Sequence, residues 1–146
     1  FGPRIVPGVN ISTDAVPALR DAYAVTGDTD GEQLSGAVQI ADFNGDREAD
    51  LLVYGNTATY VLLGRVDLNT VGSIVEEADY IIDREVGRPG ERMGDVNGDG
   101  TTDLVFVRPS DDRNSSVITV LMGGSDAKIE IPRHVTREWV QDTVGI

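Results

Sequence analysis

The chain has 146 residues, 40% of them hydrophobic and 25% charged, a globular composition with room for one useful core. Its formal net charge of -13 argues against a nucleic-acid partner and against anionic membranes, which need clustered Lys and Arg, and suits a protein that recruits cations. No cysteine is present, which excludes disulfides and thiolate metal sites, and aromatics at 5% leave the core to Val, Ile and Leu.

At the start, Phe1-Gly2-Pro3-Arg4 has neither a charged nor an apolar signal region, so a signal peptide is expected to be absent or already removed. No apolar run approaches the roughly 20 residues of a membrane span. Residues 10–20 read as a connection in which Ser12 or Thr13 caps a short helical turn, and 22–26 as the outer strand of a preceding unit. Gly27-Asp28-Thr29-Asp30-Gly31-Glu32 reads as a surface turn, since no Asp follows at the spacing a metal loop needs. Strands are then expected at 38–42, 50–54, 59–63 and 79–83, with a connection at 67–77 that Asp67 caps. The pattern returns at 92–96, 103–107, 116–122 and 138–141. Val, Ile, Tyr and Thr cluster in short stretches bounded by Gly, Asn, Asp or Pro.

This is a repeat of roughly 60 residues. Ala41-Asp42-Phe43-Asn44-Gly45-Asp46-Arg47-Glu48-Ala49-Asp50-Leu51-Leu52-Val53 returns as Gly94-Asp95-Val96-Asn97-Gly98-Asp99-Gly100-Thr101-Thr102-Asp103-Leu104-Val105-Phe106. Each copy leads to a β-rich run that ends in Gly, Val61-Leu62-Leu63-Gly64 and Val120-Leu121-Met122-Gly123, and Phe1-Gly2 reads as the tail of a third. The expected organisation is a partial repeat at 1–36, one full repeat at 37–91 and a second at 92–146 that ends in its outer strand. Four short antiparallel strands per unit fit a propeller blade. The chain reads as beginning and ending inside the repeat frame, with other blades expected from the same or other chains.

Both loops fit Asp-x-Asn-Gly-Asp-x-x-x-Asp. Side-chain oxygens fall at the first, third, fifth and ninth positions: Asp42, Asn44, Asp46 and Asp50, then Asp95, Asn97, Asp99 and Asp103. The seventh residue, Glu48 or Thr101, offers its backbone carbonyl. Calcium takes six to eight hard oxygen ligands in mixed carboxylate, amide and carbonyl sets, and three carboxylates packed with no cation would repel one another. The competing reading is a bare Asx turn. An EF-hand or dockerin would need a bidentate Glu at position twelve, where this chain has Val53 and Phe106.

The nine-residue loop running directly into Asp50-Leu51-Leu52-Val53 or Asp103-Leu104-Val105-Phe106 resembles the FG-GAP repeats of integrin α-chain β-propellers and their bacterial integrin-like or VCBS-type relatives. The Gly-ended strands, Phe1-Gly2, and Pro109 after Arg108 agree with that family. Arg47 departs from it, standing where the second loop keeps Gly100. The resemblance implies an all-β fold of two four-stranded antiparallel blades with partial repeats at both ends. It implies a structural Ca2+ in each loop between first and second strands, and an extracellular or cell-surface location.

Signs of catalysis are lacking: no nucleophile elbow, phosphate loop, zincin motif or dinucleotide fingerprint appears. Asp111-Asp112 reads as a hairpin turn, His134 as a surface residue, Trp139 as the packing equivalent of Tyr80, and Arg84, Arg88 and Arg92 as solvating a connection. The expected function is a non-enzymatic, calcium-binding structural, adhesion or protein-interaction module. The alternatives are a non-catalytic propeller segment of an extracellular enzyme, or a subunit of an extracellular assembly or oligomer completed by other chains. Neither nucleic acid nor membrane insertion is expected.

Overall fold

A computed structural model describes residues 24–27, 31–64, 71–125 and 130–145. In chain order these form β1 (Ala24–Thr26), β2 (Leu34–Ala41), β3 (Asp50–Gly55), β4 (Ala58–Leu62), β5 (Val71–Ser73), α1 (Ile74–Glu77) and β6 (Tyr80–Asp83). A 3-10 turn (Arg84–Val86), β7 (Arg88–Pro89), β8 (Leu104–Pro109), β9 (Ser116–Leu121), β10 (His134–Val135) and α2 (Arg137–Val144) follow. The described residues are thus mostly β-strand with little helix. None of their helices is long and apolar enough to cross a membrane.

β2, β3, β4 and β6 make an antiparallel meander in which Ala41 faces Asp50, Leu51 faces Leu62 and Val61 faces Tyr80. β10 adds to its outer edge in parallel, with His134 opposite Ile81. β7, β8 and β9 form a second, three-stranded sheet, and β1 pairs with β5 in parallel. The four strands expected in the first repeat are all present.

Period-two alternation explains how the first sheet sits between two layers. Leu52, Val61 and Ile82 point to one side, where they join Phe43 and Val86 with Leu104, Phe106, Leu121, Val135 and Val140 of the second half. Val53, Tyr60 and Leu62 point to the other side, into a cluster with Ile74 and Ala78, against which Val25 and Val75 pack. With both faces covered, all five residues of β4 are buried.

The second repeat departs from expectation at both ends. Its first strand, expected at 92–96, is reduced to a single bridge between Gly94 and Asp103. The backbone there bonds instead to a side chain of the first sheet: Gln39 Nε2 donates to the carbonyls of Gly90 (3.1 Å) and Glu91 (2.8 Å), and its Oε1 accepts from the Met93 N–H (3.2 Å). β7 takes the place beside β8, although the expected boundary at 91/92 assigned it to the preceding unit.

The outer strand expected at 138–141 is a correction: those residues lie in α2. Local chemistry outweighs the repeat pattern there. The Thr136 side chain caps the helix by accepting from the Trp139 N–H, Glu138 lies in the first turn, and Gly145 closes the C-terminus at φ 76°. Four strands are therefore not found in the second repeat among the described residues. The outer strand expected at 22–26 is seen as β1, paired outside the meander. Phe1-Gly2, Ser12, Thr13, Asp28, Asp30 and Asp67 lie outside the described residues, and α1 has Ser73 at its N-cap position.

Candidate metal centre

The two acidic loops join β2 to β3 and the Gly94 bridge to β8, and they share one hydrogen-bond scheme. Asp42 Oδ1 accepts from the Gly45 N–H (2.8 Å) and Oδ2 from that of Arg47 (3.1 Å). In the second loop Asp95 Oδ1 accepts from Gly98 (2.7 Å) and Asp99 (3.1 Å), and Oδ2 from Gly100 (2.7 Å). Asn44 and Asn97 each accept from the N–H two residues on and donate through Nδ2 to Asp46 Oδ2 (2.9 Å) and Asp99 Oδ2 (3.1 Å). The N–H of the seventh residue donates to the fifth, Glu48 to Asp46 (2.7 Å) and Thr101 to Asp99 (2.9 Å).

The ninth-position aspartates differ from the rest in being buried, Asp50 at 1% and Asp103 at 0% exposure. Asp50 Oδ2 accepts from Phe43 (2.6 Å) and Asn44 (3.3 Å), while Oδ1 accepts from Gly64 (2.8 Å). Asp103 Oδ2 accepts from Val96 (2.7 Å) and Oδ1 from Gly123 (2.8 Å). Each therefore ties its loop to the end of the third strand of its unit. The repeated Gly after that strand follows from the close approach: a Cβ on Gly123 would lie 2.2 Å from the Thr102 carbonyl oxygen, and one on Gly64 would lie 2.4 Å from that of Ala49. The sequence marked these glycines as strand ends, and the clamp to the ninth Asp is new. Burial pushes the Asp50 carboxyl above the usual carboxylate value, opposed by the N–H groups of Gly64, Phe43 and Asn44 and aided by the nearby Asp46 charge.

The sixth position needs a left-handed backbone in both loops. Gly100 supplies it at φ 88°, but Arg47 is forced to φ 71°. An L side chain pays for that conformation where glycine does not. Arg47→Gly is expected to raise stability by about 0.5–1 kcal/mol in urea denaturation, net of the entropy glycine loses on folding.

The loops adjoin. The Thr102 N–H donates to the Asp42 carbonyl and the Gly124 N–H to that of Phe43, both at 2.8 Å. A Cβ on Gly45 would fall 2.7 Å from Thr101 Cγ2. The second loop thus covers the first, burying Asn44 at 6% exposure, while Asp95, Asn97 and Asp99 stay exposed.

Among the described residues, no group of three or more His, Cys, Asp or Glu side chains is gathered so as to hold a metal ion. The carboxylates that the sequence expected to converge are turned onto backbone N–H groups, those of their own loops and, for Asp50 and Asp103, also those of Gly64 and Gly123. The donor chemistry nevertheless fits a hard cation. The bonds above use two of the roughly four lone-pair sites on Asp42 and on Asp46. Asn44, Asn97 and the carbonyls of Glu48 and Thr101 would supply neutral oxygens beside the carboxylates.

The remaining singled-out residues have surface or packing places. Asp112 accepts from the Asn114 N–H (3.0 Å) in the β8–β9 turn, and Arg137 grips Asp111 at 2.5 and 2.7 Å, holding its carboxyl below the usual range. His134 is exposed and lies 2.6 Å from Asp83. Trp139 and Tyr80 are half-buried against the same core cluster, though one is on a helix and the other on a strand. Arg84 donates to the Asn56 carbonyl (3.1 Å). Glu32, expected in a surface turn, is a correction: it is 9% exposed and accepts from the Thr57 hydroxyl and N–H. Comparison of the chain with protein-family models, curated proteins and solved structures found no match.

Proposed function

We propose that this chain is a calcium-binding segment of an integrin-like β-propeller, serving as a structural, adhesion or protein-interaction module of a secreted or cell-surface protein, without catalytic activity. The observation that carries the reading is the pair of nine-residue loops. They share one sequence pattern, one hydrogen-bond scheme and one clamp to the third strand, and they pack side by side.

The stacking of the repeats supports it. Leu104, Phe106 and Leu121 of the second sheet pack on the side of the first sheet that carries Leu52 and Val61. The equivalent side of the second sheet holds Val107 and Met122, with Val96 in the place of Phe43. These are 38%, 48% and 60% exposed, whereas Phe43 is at 0%. Successive units laid on one another in this way would cover that side as it is covered in the first repeat, which is how propeller blades are arranged.

Asp42, Asn44, Asp46, Asp50 and the Glu48 carbonyl would hold one ion, and Asp95, Asn97, Asp99, Asp103 and the Thr101 carbonyl the other. The ion supplies positive charge that offsets the repulsion between Asp46 and Asp50. Calcium is expected to raise the melting temperature, worth about 2.7 kcal/mol at a hundredfold excess over the dissociation constant, and Asp99→Ala is expected to remove most of the gain. The raised Asp50 carboxyl sets the sign with pH. Without an ion, its contribution to stability is fully present below the unfolded value of about 3.8 and is lost as pH rises through the higher folded value. The calcium gain should therefore grow over the same rise, because the ion requires the ionised form. Identical melting curves with calcium and with chelator would overturn the reading.

A further inference from the structure

We propose that the free edge of β9 is a docking site for an extended peptide strand, which pairs antiparallel to Val117–Val120 and carries an acidic residue at its C-terminal end. The inference rests on the repeat equivalence used above and not on the cation.

The first repeat shows what belongs there. Leu62 pairs with Leu51 as Leu121 pairs with Leu104, so β4 and β9 are equivalent strands with Ala58, Thr59, Tyr60 and Val61 matching Val117, Ile118, Thr119 and Val120. The edge of β4 is closed by β6, with Tyr80 opposite Val61 and Asp83 opposite Ala58. Among the described residues β9 is the last strand of its sheet, because α2 replaces the expected outer strand. An unpaired row of N–H and C=O groups is a template for strand addition.

An open groove of about 510 Å³ runs along that edge. Ile118 and Val120 of β9, Met122 just after it, and Trp139 and Val144 of α2 line it. Ile118 is 65% exposed, and β9 carries no charged residue or proline to guard its edge. The Val117 end is cationic: Arg108 pairs with Val117 across the ladder, and Arg137 lines the groove beside it, both sharing the exposed Asp111 carboxylate. Glu130 is the one acid among the described lining residues. Among the described residues, Arg137 Nε is buried and has no hydrogen-bond partner. A strand docked as β6 docks on β4 would bring its fourth residue, the equivalent of Asp83, to the Arg108 end, where its acid complements the guanidinium groups.

The probe is a synthetic peptide with the sequence of residues 78–85, Ala-Asp-Tyr-Ile-Ile-Asp-Arg-Glu, added to the full chain. Trp139, the only tryptophan, sits in the groove and reports by fluorescence. Saturable binding is expected. A peptide with proline in place of the second isoleucine should bind at least tenfold more weakly, because proline cannot donate to the ladder. Ile118→Lys should weaken binding at least tenfold at an exposed position that folding tolerates. Arg137→Lys keeps the charge on Asp111 but loses the Nε donor and should weaken it several-fold. No binding, equal binding of the proline peptide, or a dimer in light scattering that Ile118→Lys disrupts would overturn the proposal, the last by giving the edge to a second copy. Calcium stabilisation without peptide binding sinks this inference alone, and peptide binding without calcium stabilisation sinks only the cation reading.

Discussion

Asp103→Ala is expected to cost about 2–4 kcal/mol in urea denaturation, and to do so in chelator as well as in calcium. Asp103 is fully buried, and its two oxygens accept the N–H groups of Val96 and Gly123. Truncation leaves both donors without an acceptor, at about 1–3 kcal/mol for a buried one, with water able to reach the more exposed Val96 end. Asp103→Asn keeps one acceptor oxygen and should fall between wild type and alanine. Asp99→Ala provides the contrast: Asp99 is exposed, so its effect should appear mainly when calcium is present. If Asp103→Ala and Asp99→Ala behave alike in chelator, the clamp is not what holds the loop to the end of β9.

Phe106→Ala is expected to be more damaging, about 3–5 kcal/mol, the usual cost of emptying a core site of an aromatic ring. Phe106 is fully buried in a cluster that draws Phe43, Leu52, Val61 and Ile82 from the first repeat and Leu104, Leu121, Val135 and Val140 from the second. The substitution should therefore lower one transition for the whole chain. Trp139 fluorescence, which watches the second repeat, and far-ultraviolet circular dichroism, which watches all strands, should shift together. Separate transitions, with only the fluorescence moving, would mean that the repeats fold independently and that the shared core contributes little.

The legible part of the fold was its alternation and its turns. Strands at 50–54, 59–63 and 79–83 were readable because Val, Leu, Ile and Tyr crowd between Gly, Asn and Asp, and the structure has them within a residue of those bounds. α2 was locally legible too: Thr136, Glu138 and Gly145 are ordinary capping signals, and the expectation of a strand came from forcing the repeat frame onto them. The reduced first strand of the second repeat could not be read, because it depends on Gln39, more than fifty residues away, supplying the bonds that a neighbouring strand would have supplied.

In the loops, sequence alone determined the spacing of oxygen donors and the turn at Asn-Gly, whereas the positive φ shared by Arg47 and Gly100 at the sixth position was seen only in the structure. The spacing and the turn are properties of residues within nine positions of one another, where local sterics and short hydrogen bonds decide. Tertiary structure decided which aspartates are buried, that Gly64 and Gly123 donate to them, that the second loop lies on the first, and that among the described residues β9 is the last strand of its sheet. Those outcomes depend on the packing of the two sheets around Phe43 and Phe106, a contact between distant segments that no local pattern encodes.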